Sequence, residues 1–185
     1  MIFEELTPVV RALMISEFRA EQTSKICAPY RPKVLTALGE SVFCSIMEEH
    51  LGNGSEASLA LALSPSPYWV ERGVRNTKNG PVPYFMPGHQ RAKVFALTDF
   101  NSWYVRALCK QMMDEEVELC EVYRAQPAYE PRGECALLEG RKLQVRELYN
   151  GHRARYYPES VANPAALSIP TGPNCHHSIR RIRTS

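Results

Sequence analysis

The sequence predicts an α+β fold, in which N-terminal helices are followed by a βαβ-like unit and an antiparallel meander. Three patterns favour this fold. Apolar residues recur at helical spacing in the first third of the chain, a helical pattern lies between two β-rich runs in the middle, and an Asn-Gly pair separates two β-patterned runs near residue 150. At 185 residues the chain is long enough to bury a core of its own, so we expect one domain overall.

Changes in composition divide this domain into three predicted segments. Residues 1–63 form a helical N-terminal part, and residues 64–90 form an irregular arm rich in proline and aromatic residues. Residues 91–185 form an α+β sheet part that ends in an extended basic tail. Long irregular segments of compact domains often act as binding loops, which makes the arm a candidate interaction element.

Two long helices and one short helix are predicted in residues 1–63. The first, in "FEELTPVVRALMISEFRAEQ", has Pro8 in its first turn, where proline is favoured. The second, in "RPKVLTALGESVFCSIMEEHLGNG", stops at Gly-Asn-Gly. Ser55 can cap the third, in "SEASLALAL". The apolar face of the first helix is predicted to consist of Val9, Val10, Leu13, Met14 and Phe18.

The βαβ-like unit is predicted in "RAKVFALTDFNSWYVRALCKQMMDEEVELCEVYRA", residues 91–125. "AKVFAL" is a short β-rich run, and "VELCEVY" alternates as a strand. Asp99 or Ser102 can cap the helix between them. That helix buries Val105, Leu108, Met112 and Met113. Because no glycine-rich phosphate loop is present, the unit does not indicate a nucleotide site of the Rossmann or P-loop type.

The antiparallel meander is predicted in "CALLEGRKLQVRELYNGHRARYYP", residues 135–158. Asn150-Gly151 is the preferred two-residue hairpin turn, since both residues tolerate positive φ. Gly151→Val should then be destabilising, because a β-branched residue resists positive φ. The tail can add "ALSIP" as an edge strand.

Composition argues against export and against a membrane span. The longest apolar stretches, such as "SLALALS", are far shorter than the ~20 residues that a spanning helix needs. Glu4 and Glu5 precede any basic residue, which is unlike a secretory signal. We expect a protein of the cytoplasm or of an assembled particle, neither secreted nor embedded in a membrane.

The cysteines are expected to be reduced, and no metal or cofactor is expected. Six cysteines occur without any CxxC pair, which removes the usual zinc and dithiol motifs. Cys175, His176 and His177 are metal-ligand types, but adjacent histidines point apart in an extended chain. A catalytic alternative uses the thiolate of Cys175 or Cys135, activated by a histidine that Glu134 or Glu139 orients.

A basic surface is the most economical functional interpretation of the sequence. Guanidinium groups with interleaved aromatic rings can bind phosphates, stack on bases or anchor protein interfaces. The candidates are Arg146, Arg153, Arg155 and Tyr156 of the meander, Arg180, Arg181 and Arg183 of the tail, and Trp69, Arg72 and Arg75 of the arm.

Two hypotheses of function follow from these residues. In the first, the protein is a non-enzymatic subunit of an oligomeric assembly of virion, phage neck or nucleoprotein type. Its partners are then other protein subunits and, through the basic surface, nucleic acid, with no role for a membrane. In the alternative, it is a small enzyme acting on nucleic acid or nucleotides through His152, His176, Glu134 and Cys175. The first hypothesis makes residues 178–185 an interaction tail whose deletion leaves the fold nearly as stable.

Overall fold

The computed structural model describes residues 1–24, 31–127, 137–151, 167–172 and 175–183. Within these residues lie five α-helices: α1 Pro8–Gln22, α2 Ala37–Asn53, α3 Glu56–Ala62, α4 Gly88–Asp114 and α5 Val145–Gly151. They also contain five strands: β1 Arg72–Thr77, β2 Gly80–Phe85, β3 Leu119–Arg124, β4 Lys142–Gln144 and β5 His177–Arg181. The strands form two antiparallel sheets, which confirms the predicted α+β class.

The N-terminal helices form as their local signals predict. Pro8 begins α1, and the side chain of Thr7 accepts a hydrogen bond from the Val10 amide at 3.2 Å. α2 ends at Asn53, followed by Gly54. Ser55 caps α3 in a reciprocal capping box with Ser58. These caps satisfy amides that would otherwise lack partners at the first turn, so the boundaries are set locally.

The predicted strand "AKVFAL" is wrong, because these residues belong to α4. The buried residues of this region include a series at helical spacing over several turns: Ala92, Phe95, Ala96, Phe100, Trp103, Ala107 and Leu108. Such a pattern buries one continuous stripe only in a helix. The six-residue run is therefore part of a helix of 27 residues, and no strand precedes it in a βαβ unit.

The predicted hairpin at Asn150-Gly151 is also wrong. Asn150 and Gly151 are the last two residues of α5, which buries Val145 and Leu148 at an i, i+3 spacing. The sheet beside it has the order β4-β3-β5 with β3 in the centre. Leu143 of β4 pairs with Cys120, so the antiparallel meander is built around β3 instead. The predicted second hairpin strand, 152–158, lies outside the described residues.

Gly151→Val is still expected to destabilise the protein, for a different reason. Positive φ occurs at Gly80 and Gly140 but not at Gly151. A Cβ on Gly151 would instead lie 2.0 Å from the carbonyl oxygen of Leu167. We expect even Gly151→Ala to cost about 2 kcal/mol in urea unfolding, because a backbone must move. Gly172→Ala is the control, since a Cβ there meets nothing within 4 Å. Equal stability of the two variants would contradict the packing argument.

The arm is not irregular, since β1 and β2 form a β-hairpin. Its loop is Lys78 and Asn79, and Gly80 follows with φ +104°. Thr77 stabilises the turn by donating from its hydroxyl to the Gly80 carbonyl at 2.8 Å. The wrong prediction relied on the proline-rich composition. The prolines, however, lie at positions within the strand that are compatible with pairing.

A single hydrophobic core joins the N-terminal helices to the C-terminal sheet. It includes Met14 of α1, Phe43 of α2 and Ile179 of β5. Phe18 meets Trp103 of α4 edge to face, with ring centroids 5.3 Å apart and an interplanar angle of 84°. The central helix α4 thus packs against the N-terminal helices on one side and against the sheet on another. The division into three segments stays a prediction.

Candidate functional site

The β1–β2 hairpin is joined to the rest of the described chain at its base. There the Met86 amide donates to the Glu71 carbonyl at 2.9 Å, and the Gly88 amide donates to the Glu71 carboxylate at 2.6 Å. Hydrogen bonds from Ser66 and from the Gly88 amide lower the pKa of Glu71. Arg91 stacks over the Tyr84 ring at 5.3 Å. The base is therefore ordered by polar contacts, while the strands beyond it extend into solvent.

The two faces of the hairpin differ in chemistry. Cross-strand pairs place Arg72 beside Phe85 and Val74 beside Pro83 on the outer face. Val74 is 65% exposed and Phe85 is 61% exposed. On the inner face Tyr84 lies across Gly73, where a Cβ would come within 2.9 Å of the ring. Glycine at this position thus lets the tyrosine fold toward Arg91, while Val74 and Phe85 lie exposed on the outer face.

The two free edges of the hairpin differ in hydrogen-bonding capacity. Because Met86 bonds to Glu71, the register makes Gly73 with Tyr84, and Arg75 with Val82, the hydrogen-bonded pairs. The intervening residues point their backbone groups away from the partner strand. On β2 these outward residues include Pro81 and Pro83, which have no N–H. On β1 the outward residues are Arg72, Val74 and Asn76, and each of them has a backbone N–H.

The hairpin is also the most uniformly cationic exposed element of the described chain. It carries the exposed side chains of Arg72, Arg75 and Lys78, and the sequence from 72 to 85 contains no Asp or Glu. Arg72 lies over the Phe85 ring at 6.0 Å. Exposed apolar side chains flanked by guanidinium groups are typical of protein interfaces. Arg72 and Arg75 were predicted from the sequence, whereas Val74 was missed.

Trp69, which was predicted to bind a partner, is a core residue. It is only 4% exposed, and its indole N–H donates to the Leu63 carbonyl at 2.6 Å. Its backbone forms an isolated bridge with Leu35. Trp69 therefore supports the base of the hairpin and is not available for stacking on a ligand.

Residues 177–181 form a strand paired with β3, so the prediction that this part of the chain is a tail separate from the core is wrong. β5 pairs antiparallel with β3. Cys120 lies opposite Arg181 at one end of the ladder, and Arg124 lies opposite His177 at the other. His177, Ser178 and Ile179 are fully buried. The sequence favoured a tail because arginines dominate its end, but the three residues before those arginines are buried.

The arginines of β5 and the residues after it contact carboxylates of the same chain. Arg180 pairs with Glu4 and Glu121, Arg181 with Glu5 and Glu115, and Arg183 with Glu4. Arg180 also lies over the Tyr123 ring at 5.2 Å. Hydrogen bonding from Arg181 lowers the pKa of Glu115. Arg180 and Arg181 thus hold β5 to the N-terminal segment and are less free for a partner than the sequence predicts.

Cys175 belongs to a cluster of a buried thiol, a buried imidazole and an exposed carboxylate. Its Sγ lies 3.7 Å from His177 Nδ1, and His177 Nε2 lies 3.5 Å from Glu139 Oε1. Hydrogen bonding from Arg124 lowers the pKa of Glu139. This order resembles an activated nucleophile. However, Cys175 is 7% exposed and its histidine partner is not His176, whose pKa is lowered by burial. The cluster therefore links the start of β5 to the rest of the sheet.

Of the remaining predicted site residues only Arg146 is described, and it joins neither the hairpin nor the Cys175 cluster. Arg146 is exposed on α5, beside Glu147 at a cavity that Glu116 and Glu118 also line. Glu134, Cys135, His152, Arg153, Arg155 and Tyr156 lie outside the described residues. The enzyme hypothesis, which needs His152 and Glu134, stays a prediction.

The buried thiols of α4 and β3 are packing residues. Burial raises the pKa of Cys109 and raises that of Cys120 to about 11. In the described part of the chain, no three His, Cys, Asp or Glu side chains are grouped to hold a metal ion.

Among the described helices, none combines the length and apolarity that crossing a membrane requires. Comparisons of this chain with protein-family models, curated proteins and solved structures find no match.

Proposed function

We propose that the protein is a non-enzymatic subunit of a macromolecular assembly, of the virion, phage neck or nucleoprotein type, and that the β1–β2 hairpin is its docking element. The observation that carries the proposal is the outer face of the hairpin. There Val74 and Phe85 expose most of their apolar surface beside the Arg72 guanidinium.

The energetics of a two-stranded sheet support this role. An isolated hairpin of two strands is marginally stable in water, since it has no third strand and no core of its own. The described residues cover only its base, through Tyr84, Arg91 and Glu71. A partner that covers Val74 and Phe85 would remove apolar surface from water at about 25 cal/mol per Å². Binding would thus stabilise the hairpin and at the same time bury its exposed apolar side chains.

The proposal is tested by isolating complexes from the cells that naturally produce the protein. The wild-type chain, tagged for purification, is expected to elute from gel filtration in a complex larger than one chain. A double variant, Val74→Ser with Phe85→Ser, should elute as a free chain with an unchanged melting temperature, because both residues are exposed. The ultraviolet absorbance ratio of the complex shows whether nucleic acid is present.

Leu61→Ser provides the matched control, since Leu61 is a similarly exposed apolar residue, 74% exposed, on α3. This variant should keep the complex intact. Elution of the wild-type protein as a single chain would contradict the proposed function, and equal loss of the complex in both variants would contradict the role of the hairpin.

A further inference from the structure

We infer that the free edge of β1 accepts an extended, acidic peptide segment of a partner protein as an added antiparallel strand. This inference rests on the proposed docking function of the hairpin and specifies its partner. It makes the β1 edge, and not the β2 edge, the binding site.

The first step of the argument is the difference between the two edges. Arg72, Val74 and Asn76 each point an N–H and a C=O away from β2, and no backbone hydrogen bond from another described element reaches them. An exposed edge of this kind is a template for another strand. At the other edge, Pro81 and Pro83 occupy two successive outward positions, so a strand added there would lack two donors.

The second step is the chemistry of the side chains along β1. Arg72 and Val74 project from the outer face, and Arg75 projects from the inner face. In an antiparallel partner, the residues opposite positions 75, 74, 73 and 72 follow one another along the chain. Opposite charges and apolar pairs stabilise directly opposed positions. The partner sequence that fits best therefore has, in chain order, an acidic residue, an apolar residue, any residue and an acidic residue.

The same edge disfavours two other possible partners, nucleic acid and a second copy of this chain. Phosphate oxygens only accept hydrogen bonds, so nucleic acid would leave the outward carbonyls of Arg72, Val74 and Asn76 without donors. A second copy of the chain would bring a second set of Arg72, Arg75 and Lys78 beside the first. Like charges along a shared edge oppose that pairing. An acidic peptide satisfies both the backbone and the cations.

The test is a selection of peptides on the intact protein. A phage-displayed library of random peptides is panned on the wild-type chain, and the enriched peptides are then measured on Val74→Pro. This substitution removes one outward N–H and no hydrogen bond within the hairpin. Enriched peptides should carry the acidic, apolar, any, acidic pattern. They should bind Val74→Pro at least tenfold more weakly, whereas Val74→Thr, which keeps the amide and the branched shape, should bind within threefold.

Two further measurements keep the test independent of the proline. In Arg72→Glu with Arg75→Glu, the selected peptides should lose at least tenfold in affinity, and that loss should shrink with added salt. In hydrogen exchange, the amides of Arg72, Val74 and Asn76 should become protected when a selected peptide is added. Those of Val82 and Tyr84, which already face β1, should change little.

Several results would overturn the inference. These are failure to enrich peptides on the wild-type chain, enriched peptides that bind Val74→Pro equally, or absence of protection at the three outward amides. Tight binding of a labelled 30-nucleotide DNA strand that Val74→Pro leaves unchanged would point to a phosphate surface instead. A dimer in sedimentation that Val74→Pro dissociates would assign the edge to a second copy. In each case the larger natural complex could still form, so the proposed function is judged separately.

Discussion

Deletion of residues 178–185 is expected to abolish cooperative folding, in contrast to the stable truncation that the sequence suggests. The deletion removes Ser178 and Ile179, which are fully buried, and all but one residue of β5. It leaves β3 with β4 alone, and β4 has three residues. Loss of Ile179 by itself should cost about 2 to 5 kcal/mol, and native stabilities are only about 5 to 15 kcal/mol.

The truncated chain should give no cooperative transition in thermal or urea unfolding followed by circular dichroism. Ile179→Ala is the milder version and should lower the free energy of unfolding without loss of the transition. Arg183→Ala is the control, because its side chain is 71% exposed and pairs only at the surface, with Glu4. A truncated chain that melts like the full-length protein would show that β5 is dispensable.

Asn101→Leu is expected to cost about 2 to 5 kcal/mol, because it removes two hydrogen bonds to buried groups of β5. Asn101 lies in the middle of α4 and is fully buried. Its amide donates to the His177 carbonyl at 2.7 Å, and its carbonyl oxygen accepts from the Ser178 hydroxyl at 2.8 Å. One side chain thus bonds the central helix to β5. Leucine has a similar size but satisfies neither group.

The effect is measured as the change in unfolding free energy in urea. Asn76→Ala is the matched control, since Asn76 is exposed in β1 and should change stability by less than about 0.5 kcal/mol. Ser178→Ala, which removes only one of the two bonds, should fall between them. A loss below about 1 kcal/mol for Asn101→Leu would mean that the two backbone and hydroxyl groups find other partners.

Local signals predicted the helical part of the fold well. Thr7 before Pro8, and Ser55 before Glu56, act within one turn of the backbone, so neighbouring residues alone decide where α1 and α3 begin. Long-range context decided the rest. The six residues "AKVFAL" fit a strand in isolation, and only the spacing continued through Phe100 and Trp103 makes them helical.

The candidate site shows why a turn signal is not sufficient. Asn-Gly occurs at 53–54, 79–80 and 150–151. The first ends α2, the second lies in the turn region of the β1–β2 hairpin, and the third ends α5. Asn-Gly favours any sharp change of direction, and the choice depends on whether the flanking residues bury a helical stripe or pair as strands. The Asn-Gly signal that was used to predict a hairpin at 150–151 would have been correct if applied to 79–80.

The sequence by itself determined the α+β class, the three N-terminal helices with Ser55 as the cap of the third, and the candidate arginines Arg72 and Arg75 of the hairpin. These depend on propensity, capping and charge, which act over a few residues. Only the tertiary structure decided that Trp69 is buried and that Arg180 and Arg181 contact carboxylates of their own chain. It also decided that every outward position of β1 has a backbone donor, whereas two of the three outward positions of β2 are prolines. Partners distant in sequence, and the parity of strand pairing, determine which groups are buried and which remain available.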